Sequence, residues 1–421
     1  MSCIIIKCKL CLNDCNKIIS FNQMPIANAF LVQSEFQKEY FFELQVAFCT
    51  SCKMFQLVNQ PDPKMMFHNN YAFFSSSSKK MSEHFEKMAN NYLKNFLVGL
   101  RSPFVVELGS NDGIMLRHFA KCGIKHLGIE PSANVAKVAQ ENGVNSIAEF
   151  FNIETAKKVY ENYGKADIIS AANVMCHISD LGSVAEGVNV LLQDNGIFVF
   201  EDPYLVDVIQ KTSYDQIYDE HVYIFSVQSV MNTFAPYNLE LFHVEQQATH
   251  GGSMRYYFCK QGTNPVRDSV SKQLKLEILL GLDKIDTYKK FAYSCEKNKN
   301  NFIDLLNKLK QAGKRVIGYA ATSKSTTVLN YCNISSDLIE YICDTTPIKQ
   351  EKFSPGMHVP IKSYEYFKQD NPDYAILFAW NHAEEIFNKE KDFMSNGGKW
   401  IVFVPEPKIL NFDKNMVLNV I

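Results

Sequence analysis

A buried strand that runs directly into a glycine turn, at residues 104–113, places the strongest constraint on how this chain can fold. The segment reads FVVELGSNDG, and further apolar strand patterns follow at IKHLGIEPS, ADIISAANV and GIFVFEDPY, with helix-like stretches between them. Strands that alternate with helices are typical of a parallel sheet covered on both faces. The middle of the chain is therefore predicted to be a Rossmann-like α/β domain.

The loop after the first of these strands carries the candidate cofactor-binding residues. Glycines in the loop let the backbone approach a ligand closely, and an acid about twenty residues further on can accept hydrogen bonds from two ribose hydroxyls. The acids within the loop would repel a pyrophosphate and suit a nucleoside with a cationic sulfonium, which predicts S-adenosylmethionine. The predicted cofactor-binding residues are Glu107, Gly109, Asn111, Asp112, Gly113, Glu130 and Asn173.

Two closely spaced cysteine pairs near the N-terminus, Cys8-x-x-Cys11 and Cys49-x-x-Cys52, predict a zinc site. Each pair places two thiolates on a tight turn, so four sulfurs can complete a tetrahedral shell, and such a closed shell is structural rather than catalytic. Unrelated buried cysteines are the alternative, and Cys15 is a nearby thiol that leaves the ligand assignment open.

Candidate catalytic residues follow the third and fourth predicted strands. His177 comes after the third strand, and Tyr218, Glu220 and His221 come after the fourth. In open α/β sheets ligands bind beyond the carboxyl ends of the strands. A single histidine is more often structural, but two histidines, a glutamate and tyrosines at one edge favour an active site. Tyr71 belongs to a further aromatic cluster before a predicted linking helix at residues 81–97.

These residues fit methylation of carbon somewhat better than methylation of oxygen. Carbon methylation requires a base that removes a proton next to a carbonyl, and hydrogen-bond donors at the enolate oxygen. Histidine suits the base role near neutral pH. Oxygen methylation needs only the base, so the residues leave a sugar or small-molecule O-methyltransferase open as the alternative. A non-catalytic binding protein is a third reading, against which the acids of the cofactor loop argue.

Composition excludes several other classes of protein. The formal net charge is -2 and no cluster of Lys and Arg flanks the cysteine pairs, so nucleic acid is not an expected partner. No stretch is apolar enough to span a membrane, and the N-terminal apolar run is too short for a signal peptide. With twelve cysteines in such a chain, we expect reduced thiols and a cytoplasmic location.

The patterns divide the 421 residues into three predicted domains. Residues 1–75 form a zinc-binding module, residues 76–305 the central SAM-dependent methyltransferase domain with flanking helices, and residues 306–421 a C-terminal α/β, Rossmann-like domain. The last is predicted because a second strand–helix pattern begins at KRVIGYAATSKSTTVLNY and continues through LIEYICDTT, DYAILFAW and GGKWIVFVPEP. Residues 266–313 show helical spacing and predict one or two connecting helices.

Several ordered motifs resemble a known family, the three-domain, zinc-containing sugar C-methyltransferases that act on nucleotide-linked 4-keto-deoxysugars. The similar segments run along nearly the whole chain: CKLC and CTSC with PIANAF between them, VVELGSNDGIML with LGIEPSANVA, YDQIYDEHVYIFS, THGGSMRYY, and GYAATSKSTTVLNY with ICDTTPIKQEKFSPGMHVPI. The resemblance implies SAM-dependent methylation at C3 of a nucleotide-diphosphate keto-sugar. It leaves the base, the exact sugar, the stereochemistry and the oligomeric state open, and a monomer is compatible with it.

The resemblance also implies roles for individual residues. His221 would remove the C3 proton, with Tyr218 and Glu220 orienting it or the sugar. His177 would stabilise the enolate or return a proton, and Tyr71 would line the sugar site.

The nucleotide diphosphate would lie between the middle and C-terminal domains, with Lys324 as its counter-charge. Tyr204 and Arg255 are the further predicted substrate-binding residues. Relatives usually have glycine where this chain has Ala320 and Ser325, and commonly histidine at Asp219.

Overall fold

The computed structural model describes residues 5–66, 75–412 and 418–420, and their strands form three sheets. One sheet belongs mainly to the N-terminal module, one to the middle of the chain and one to the C-terminal part. The predicted α/β fold with an N-terminal module is confirmed. Tyr71 lies outside the described residues.

The N-terminal module is an antiparallel sheet built on one long ribbon. Its own elements are β1 (Ile6–Lys7), β2 (Asp14–Pro25), β3 (Phe41–Cys49), β4 (Phe55–Leu57) and the short helix α1 (Pro63–Met66). Strands β2 and β3 pair from Cys15 opposite Cys49 to Pro25 opposite Phe41. The two cysteine pairs therefore flank one end of the ribbon, and the PIANAF loop leaves its other end.

The middle unit is a seven-stranded sheet covered by helices, in the order β11-β12-β9-β8-β5-β6-β7. Neighbouring strands from β9 to β7 pair in parallel, whereas β12 pairs antiparallel with both β9 and β11. Its elements are α2 (Lys79–Asn95), β5 (Phe104–Leu108), α3 (Leu116–Lys121), β6 (Lys125–Ile129), α4 (Ala133–Glu141), β7 (Ser146–Ile147), α5 (Ile153–Tyr163), β8 (Ala166–Ala172), α6 (Leu181–Leu191), β9 (Leu192–Pro203), α7 (Leu205–Gln210), β10 (Tyr223–Ile224), α8 (Val227–Phe234), β11 (Leu239–Gln247), β12 (Ser253–Lys260) and α9 (Asp268–Leu279).

Strand β10 belongs to the sheet of the N-terminal module although it lies in the middle of the chain. Tyr223 pairs with Gln56 and Ile224 with Phe55, both antiparallel. The amide of Leu57 also donates to the carbonyl oxygen of Val222 at 2.8 Å. Main-chain hydrogen bonds thus join the module to the segment that carries the predicted catalytic residues.

The predicted linking helix is present as α2, and its sequence explains its limits. Ser78 precedes it and accepts a hydrogen bond from the amide of Met81, as a helix N-cap does. Phe85, Met88, Ala89 and Tyr92 recur at helical spacing and are buried against the middle sheet.

The C-terminal unit is a second seven-stranded sheet, in the order β15-β14-β13-β16-β17-β18-β19. Its elements are β13 (Val316–Tyr319), α11 (Ser323–Tyr331), β14 (Ile342–Cys343), β15 (Ile361–Lys362), α12 (Tyr364–Asp370), β16 (Tyr374–Leu377), α13 (Ala383–Lys389), α14 (Lys391–Ser395), β17 (Lys399–Val402), β18 (Lys408–Phe412) and β19 (Leu418–Val420). The first five strands pair in parallel, as predicted for a Rossmann-like unit, and the last two are antiparallel.

A long helix, α10 (Ile285–Gln311), contacts all three units. Near its start, Tyr288 stacks on Phe48 of the module with ring centroids 3.9 Å apart. Further along, the Asn298 amide donates to the carbonyl oxygens of Phe403 at 2.7 Å and Pro405 at 2.9 Å, and its oxygen accepts from the Tyr214 hydroxyl at 3.3 Å. The predicted domain boundary at 305/306 falls inside this helix.

None of the helices in the described part of the chain is both long and apolar enough to cross a lipid bilayer.

Replacing Asn298 by Ala is expected to lower the free energy of unfolding by about 2–4 kcal/mol, because the buried Phe403 carbonyl, the Tyr214 hydroxyl and the Pro405 carbonyl each lose one hydrogen bond. Asn300→Ala is the matched control, since Asn300 is exposed on the same helix. Its effect should stay within about 0.5 kcal/mol. Urea unfolding measures both variants, and equal stabilities would contradict the role given to Asn298.

Candidate active site and metal centre

The four cysteines of the N-terminal pairs converge as predicted. Their sulfurs all lie within 4.8 Å of one another, and the Cys8–Cys52 and Cys11–Cys49 sulfur distances are both 3.5 Å. Four sulfurs at zinc-bond length around one ion would be about 3.8 Å apart. The residues present therefore fit a closed, structural zinc site.

Hydrogen-bond donors around the cysteines support the same assignment. The Leu10 amide points at the Cys8 sulfur at 3.4 Å, and the Gln56 side-chain amide donates to that sulfur at 3.1 Å. Such donors stabilise the thiolates of a metal site. Cys15, the thiol that complicated the assignment, contacts Gln56 at 3.6 Å and lies outside the group of four.

The predicted cofactor loop lies at the carboxyl ends of β5, β6 and β8. Gly109 and Gly113 have φ angles of 60° and 79°. A Cβ on Gly109 would come within 2.4 Å of the Val174 side chain, so no larger residue fits there. The segment that begins at Asn173, itself at a φ of 57°, therefore lies directly against the loop.

A cluster of buried acids lies under this loop. Glu107, Asp112 and Glu130 are 3–5% exposed. Burial raises the pKa of Glu107 well above its ordinary value, and the charges of Asp112 and Glu130 add to the rise. Within the described residues, Glu107 Oε2 and Asp112 Oδ1 are buried without a hydrogen-bond partner. Buried acids with spare acceptors fit a cationic ligand that also carries hydroxyl or amino groups.

Glu130 fixes the shape of the loop. Its carboxylate accepts from the amides of Asn111 at 3.0 Å and Ser132 at 2.8 Å. The turn before α2 approaches from the other side: the Ser75 amide donates to Asn111 Oδ1 at 2.9 Å, and the amide and hydroxyl of Ser76 donate to Asp112. All seven predicted cofactor-binding residues thus lie in or beside one loop.

The predicted base is held in a defined orientation. His221 Nδ1 lies 2.6 Å from the carbonyl oxygen of Gln216, which can only accept, so Nδ1 carries the proton. Nε2 is then the basic nitrogen, and the Tyr218 hydroxyl lies 2.8 Å from it. Burial lowers the pKa of His221 well below its ordinary value, and the nearby His177 and Lys324 lower it further. His221 is therefore neutral, and able to accept a proton, at neutral pH.

His177 joins His221 in the same pocket, with ring centroids 5.2 Å apart. One ring nitrogen of His177, one of His221 and the sulfur of Cys176 lie within 4.8 Å of one another. Burial lowers the pKa of His177 to about 4, so it too is neutral at pH 7. The structure thus brings together the predicted histidines from two different segments, one after β8 and one between α7 and β10.

Two buried carboxyls, Asp219 and Glu220, lie beside the base and contact the N-terminal module. Glu220 Oε1 accepts from the Asn28 side-chain amide at 2.6 Å, and Asp219 Oδ1 accepts from the Ala27 amide at 3.0 Å. Burial raises the pKa of Glu220 to about 7, and the Asn28 hydrogen bond opposes the rise.

Tyr204 and Arg255, both predicted to bind substrate, make protein contacts. The Tyr204 hydroxyl donates to Glu277 at 2.7 Å. Arg255 forms two hydrogen bonds with Glu201, at 2.7 and 2.9 Å. Burial would raise the pKa of Glu201, but the hydrogen bond from His84 and the Arg255 charge lower it to about 2. A direct contact of Tyr204 or Arg255 with substrate stays a prediction.

Lys324 lies in the first turn of α11 in the C-terminal unit and is 8% exposed. Its ammonium lies 5.2 Å from the centre of the Trp380 ring, whose nitrogen donates to Asp215 Oδ2 at 2.7 Å. Asp215 and His221 belong to the same segment, so the C-terminal unit contacts the segment that carries the predicted base; that Lys324 binds substrate stays a prediction. Ala320, where relatives usually have glycine, adopts a φ of 71°, which explains that preference.

Several residues of the site were not singled out from the sequence. Asp202 is fully buried at the end of β9 beside Cys176. His250 adopts a φ of 53° in the THGG motif, and its neighbour Gly251 packs against Trp380 so closely that a Cβ would lie 2.2 Å away. An acid at the end of an apolar run, in FVFEDPY, was the available signal for Asp202.

Comparison with known proteins agrees with this geometry along nearly the whole chain. Three family profiles match: "Putative zinc binding domain" at residues 8–67, "Methyltransferase domain" at residues 81–244 and "C-methyltransferase C-terminal domain" at residues 248–405. The fold, the geometry of the site and the matching family profiles together define the protein as a methyltransferase.

C-methyltransferase NovU of Streptomyces niveus is 32% identical over 414 residues, which are 97% of this chain and 98% of that protein. The chain belongs to this C-methyltransferase family. The predicted family resemblance, enzyme class and cofactors, S-adenosylmethionine and structural zinc, are thereby confirmed.

Other similarities are confined to part of the chain. A ubiquinone biosynthesis O-methyltransferase of Colwellia psychrerythraea is 29% identical over 100 residues, 23% of this chain and 40% of that protein. The crystal structure of magnesium protoporphyrin IX methyltransferase from Synechocystis with bound SAM aligns with a TM-score of 0.33 at 10% identity, over 43% of this chain and 79% of that one.

Replacing Cys52 by Ser is expected to reduce the zinc content to a small fraction of the wild-type value, because the sulfur shell loses one of its ligands. The loss of metal should lower the thermal midpoint by on the order of 10 °C. Cys122→Ser, at an exposed thiol, is the control and should keep its zinc. Atomic absorption and thermal unfolding measure both; a full zinc content in Cys52→Ser would exclude Cys52 as a ligand.

The pKa of the buried Asp202 carboxyl predicts that the stability of the protein depends on pH. Burial raises the pKa of Asp202 to about 8, against opposing hydrogen bonds with Cys176. A raised pKa means that the folded protein holds a proton that the unfolded chain releases, so stability falls as pH rises from about 4 to 8.

Asp202→Asn removes this titration. The free energy of unfolding of the variant minus that of wild type should therefore be about 3–4 kcal/mol larger at pH 8 than at pH 5. Urea unfolding at both pH values tests this, with Asp194→Asn, at an exposed carboxyl, as the control. A pH-independent difference would show that Asp202 is ionised in the folded protein.

Proposed function

We propose that the protein is a SAM-dependent C-methyltransferase that deprotonates C3 of a nucleotide-linked 4-keto-deoxysugar and methylates the resulting enolate carbon. The observation that carries this proposal is the orientation of His221, whose basic Nε2 faces the Tyr218 hydroxyl in a pocket beside the cofactor loop. The resemblance in the sequence motifs supplies the substrate class.

A neutral, buried histidine suits removal of a weakly acidic proton. Because Gln216 holds the proton on Nδ1, Nε2 can accept the substrate proton without a change of tautomer. Tyr218 orients this nitrogen. In the low-dielectric pocket, the positive charge that develops on His221 is offset by the Glu220 carboxylate on the adjoining residue.

Donors for the enolate oxygen come from the same cluster. His177 lies beside His221 on the segment that contacts the cofactor loop. A neutral imidazole can donate one hydrogen bond to a developing oxyanion. S-Adenosylmethionine, when bound, supplies the electrophilic methyl group; the residues of the chain hold the acceptor carbon and move its proton.

The C-terminal unit is proposed to bind the nucleotide diphosphate. Lys324 is the buried cation of α11, and its charge acts on His221 and on His250. A diphosphate near Lys324 would satisfy that charge and hold the sugar towards the base.

Reduced thiols indicate where the reaction takes place. Eleven cysteines of the described residues are unpaired, including buried ones in both α/β units. Free thiols persist in reducing compartments, so we propose a cytoplasmic enzyme.

The test compares wild type with His221→Ala on a panel of 4-keto-6-deoxy nucleotide sugars and radiolabelled SAM. Loss of a general base is expected to lower the methylation rate by about 100- to 10,000-fold. Wild type should also wash solvent deuterium into C3 without any methyl donor, and the variant should not. His243→Ala is the control, because His243 lies on the antiparallel edge strand and bonds Ser269.

The position of the label and its dependence on His221 together identify the reaction. Label on C3 that depends on His221 supports the proposal. Label on oxygen, without deuterium exchange, would make the protein an O-methyltransferase. Methylation of C3 that survives His221→Ala would move the base elsewhere, with His177 the next candidate.

A further inference from the structure

The PIANAF loop of the N-terminal module reaches into the middle unit. The loop, at residues 25–30, leaves the β2–β3 ribbon at the end opposite the cysteines. It contacts residues that follow it by 192 positions: the Asn28 amide bonds Glu220 at 2.6 Å, and the Ala27 amide bonds Asp219 at 3.0 Å. A structural module thus supplies two hydrogen bonds to the carboxyls beside the proposed base.

The C-terminal unit holds the loop in place. Thr326 of α11 is buried and donates from its hydroxyl to the Ala27 carbonyl oxygen at 2.8 Å. The next residue, Thr327, donates to the carbonyl oxygen of Ile217 at 2.9 Å. Neighbouring threonines on one helix therefore fix the loop and the catalytic segment relative to each other.

Asp219 and Glu220 are neighbouring carboxyls, 1% and 3% exposed, and two negative charges there would repel. The other titratable groups near Glu220 are His221, the next residue in the chain, and Cys176 from the segment after β8, whose pKa the Glu220 charge raises. Both are neutral, so neither supplies a counter-charge. A side-chain amide that donates to one carboxyl favours ionisation of that carboxyl.

The pKa values of Asp219 and Glu220 differ in the direction that the Asn28 hydrogen bond predicts. Burial, with the Glu220 charge, raises the pKa of Asp219 well above its ordinary value although the Ala27 amide opposes the rise, so Asp219 keeps its proton. Glu220, to which Asn28 donates, has a pKa of about 7 and is the acid that ionises. The short 2.6 Å contact is typical of a hydrogen bond to a charged acceptor.

We propose that Asn28 is a positioning residue of the methyl-transfer site: it fixes the carboxyl of Glu220, the residue that precedes His221 in the chain, and selects Glu220, rather than Asp219, as the charged acid. The inference rests on the proposed function for its kinetic consequence. It gives the zinc module a part in catalysis as well as in the fold.

The experiment uses Asn28→Ala and Asn28→Asp in the full-length zinc protein. Asn28→Asp keeps the shape of the side chain but replaces the donor with an acceptor. Asn16→Ala is the matched control, since Asn16 is exposed on β2 of the same module. Methylation kcat is expected to fall about 10- to 100-fold in both Asn28 variants, because a hydrogen bond to a charged group is lost. Zinc content and the Kd for SAM should be unchanged.

The pH profile separates this role from a purely structural one. Without the Asn28 donor, the pKa of Glu220 should rise, so the acid limb of kcat in Asn28→Ala should move up by about one pH unit. A merely loosened module would lower the rate without moving the limb. A rate within twofold of wild type, or an unmoved limb, would overturn the proposal.

A second measurement does not depend on the substrate. Proteins labelled with carboxyl-13C glutamate, with Glu220→Gln to assign the signal, report the titration of Glu220 directly. A higher midpoint in Asn28→Ala than in wild type and Asn16→Ala supports the inference; equal midpoints refute it. If wild type methylates no keto-sugar, the proposed function fails, and this titration still decides the role of Asn28.

Discussion

The main chain around the proposed base, which belongs to the middle unit, is held by both of the other units at once, and the geometry of the site depends on that constraint. Strand β10 pairs with β4 of the N-terminal module, Trp380 of the C-terminal unit donates to Asp215, and Thr327 donates to the carbonyl oxygen of Ile217. The segment itself forms no long helix or strand whose internal hydrogen bonds would fix it. Tertiary contacts therefore supply the rigidity that orients His221.

Burial then sets the charge state of the groups in this region. It keeps His177 and His221 neutral and raises the pKa of Asp202 and Glu220. Protein groups neutralise only part of the buried charge: Glu201 has Arg255, whereas the acids under the cofactor loop have no such cation among the described residues. A cationic ligand would supply the missing charge, so the same burial that destabilises the free acids favours binding of a sulfonium.

Regular patterns in the sequence predicted the fold well, but they did not predict contacts between distant segments. The parallel strands and the cysteine pairs follow from local periodicity and spacing. The antiparallel strands β11 and β12 were missed. Strand β10 was missed too, because a two-residue strand leaves no periodic signal. Asn28 and Glu220 are 192 residues apart, and nothing local in either segment indicates that they meet. The protein partners of Tyr204 and Arg255, Glu277 and Glu201, likewise lie on other elements of the fold.

The β2–β3 ribbon offers a physical reason for a structural metal in an enzyme whose chemistry does not need one. The cysteine end and the PIANAF end of the ribbon are ten residues apart, or about 30 Å along a strand. Two paired strands of that length twist and fray unless both ends are fixed. Zinc fixes one end, and Thr326 and Glu220 hold the other through Ala27 and Asn28. The metal can thus stabilise the position of a side chain far outside its own ligand shell.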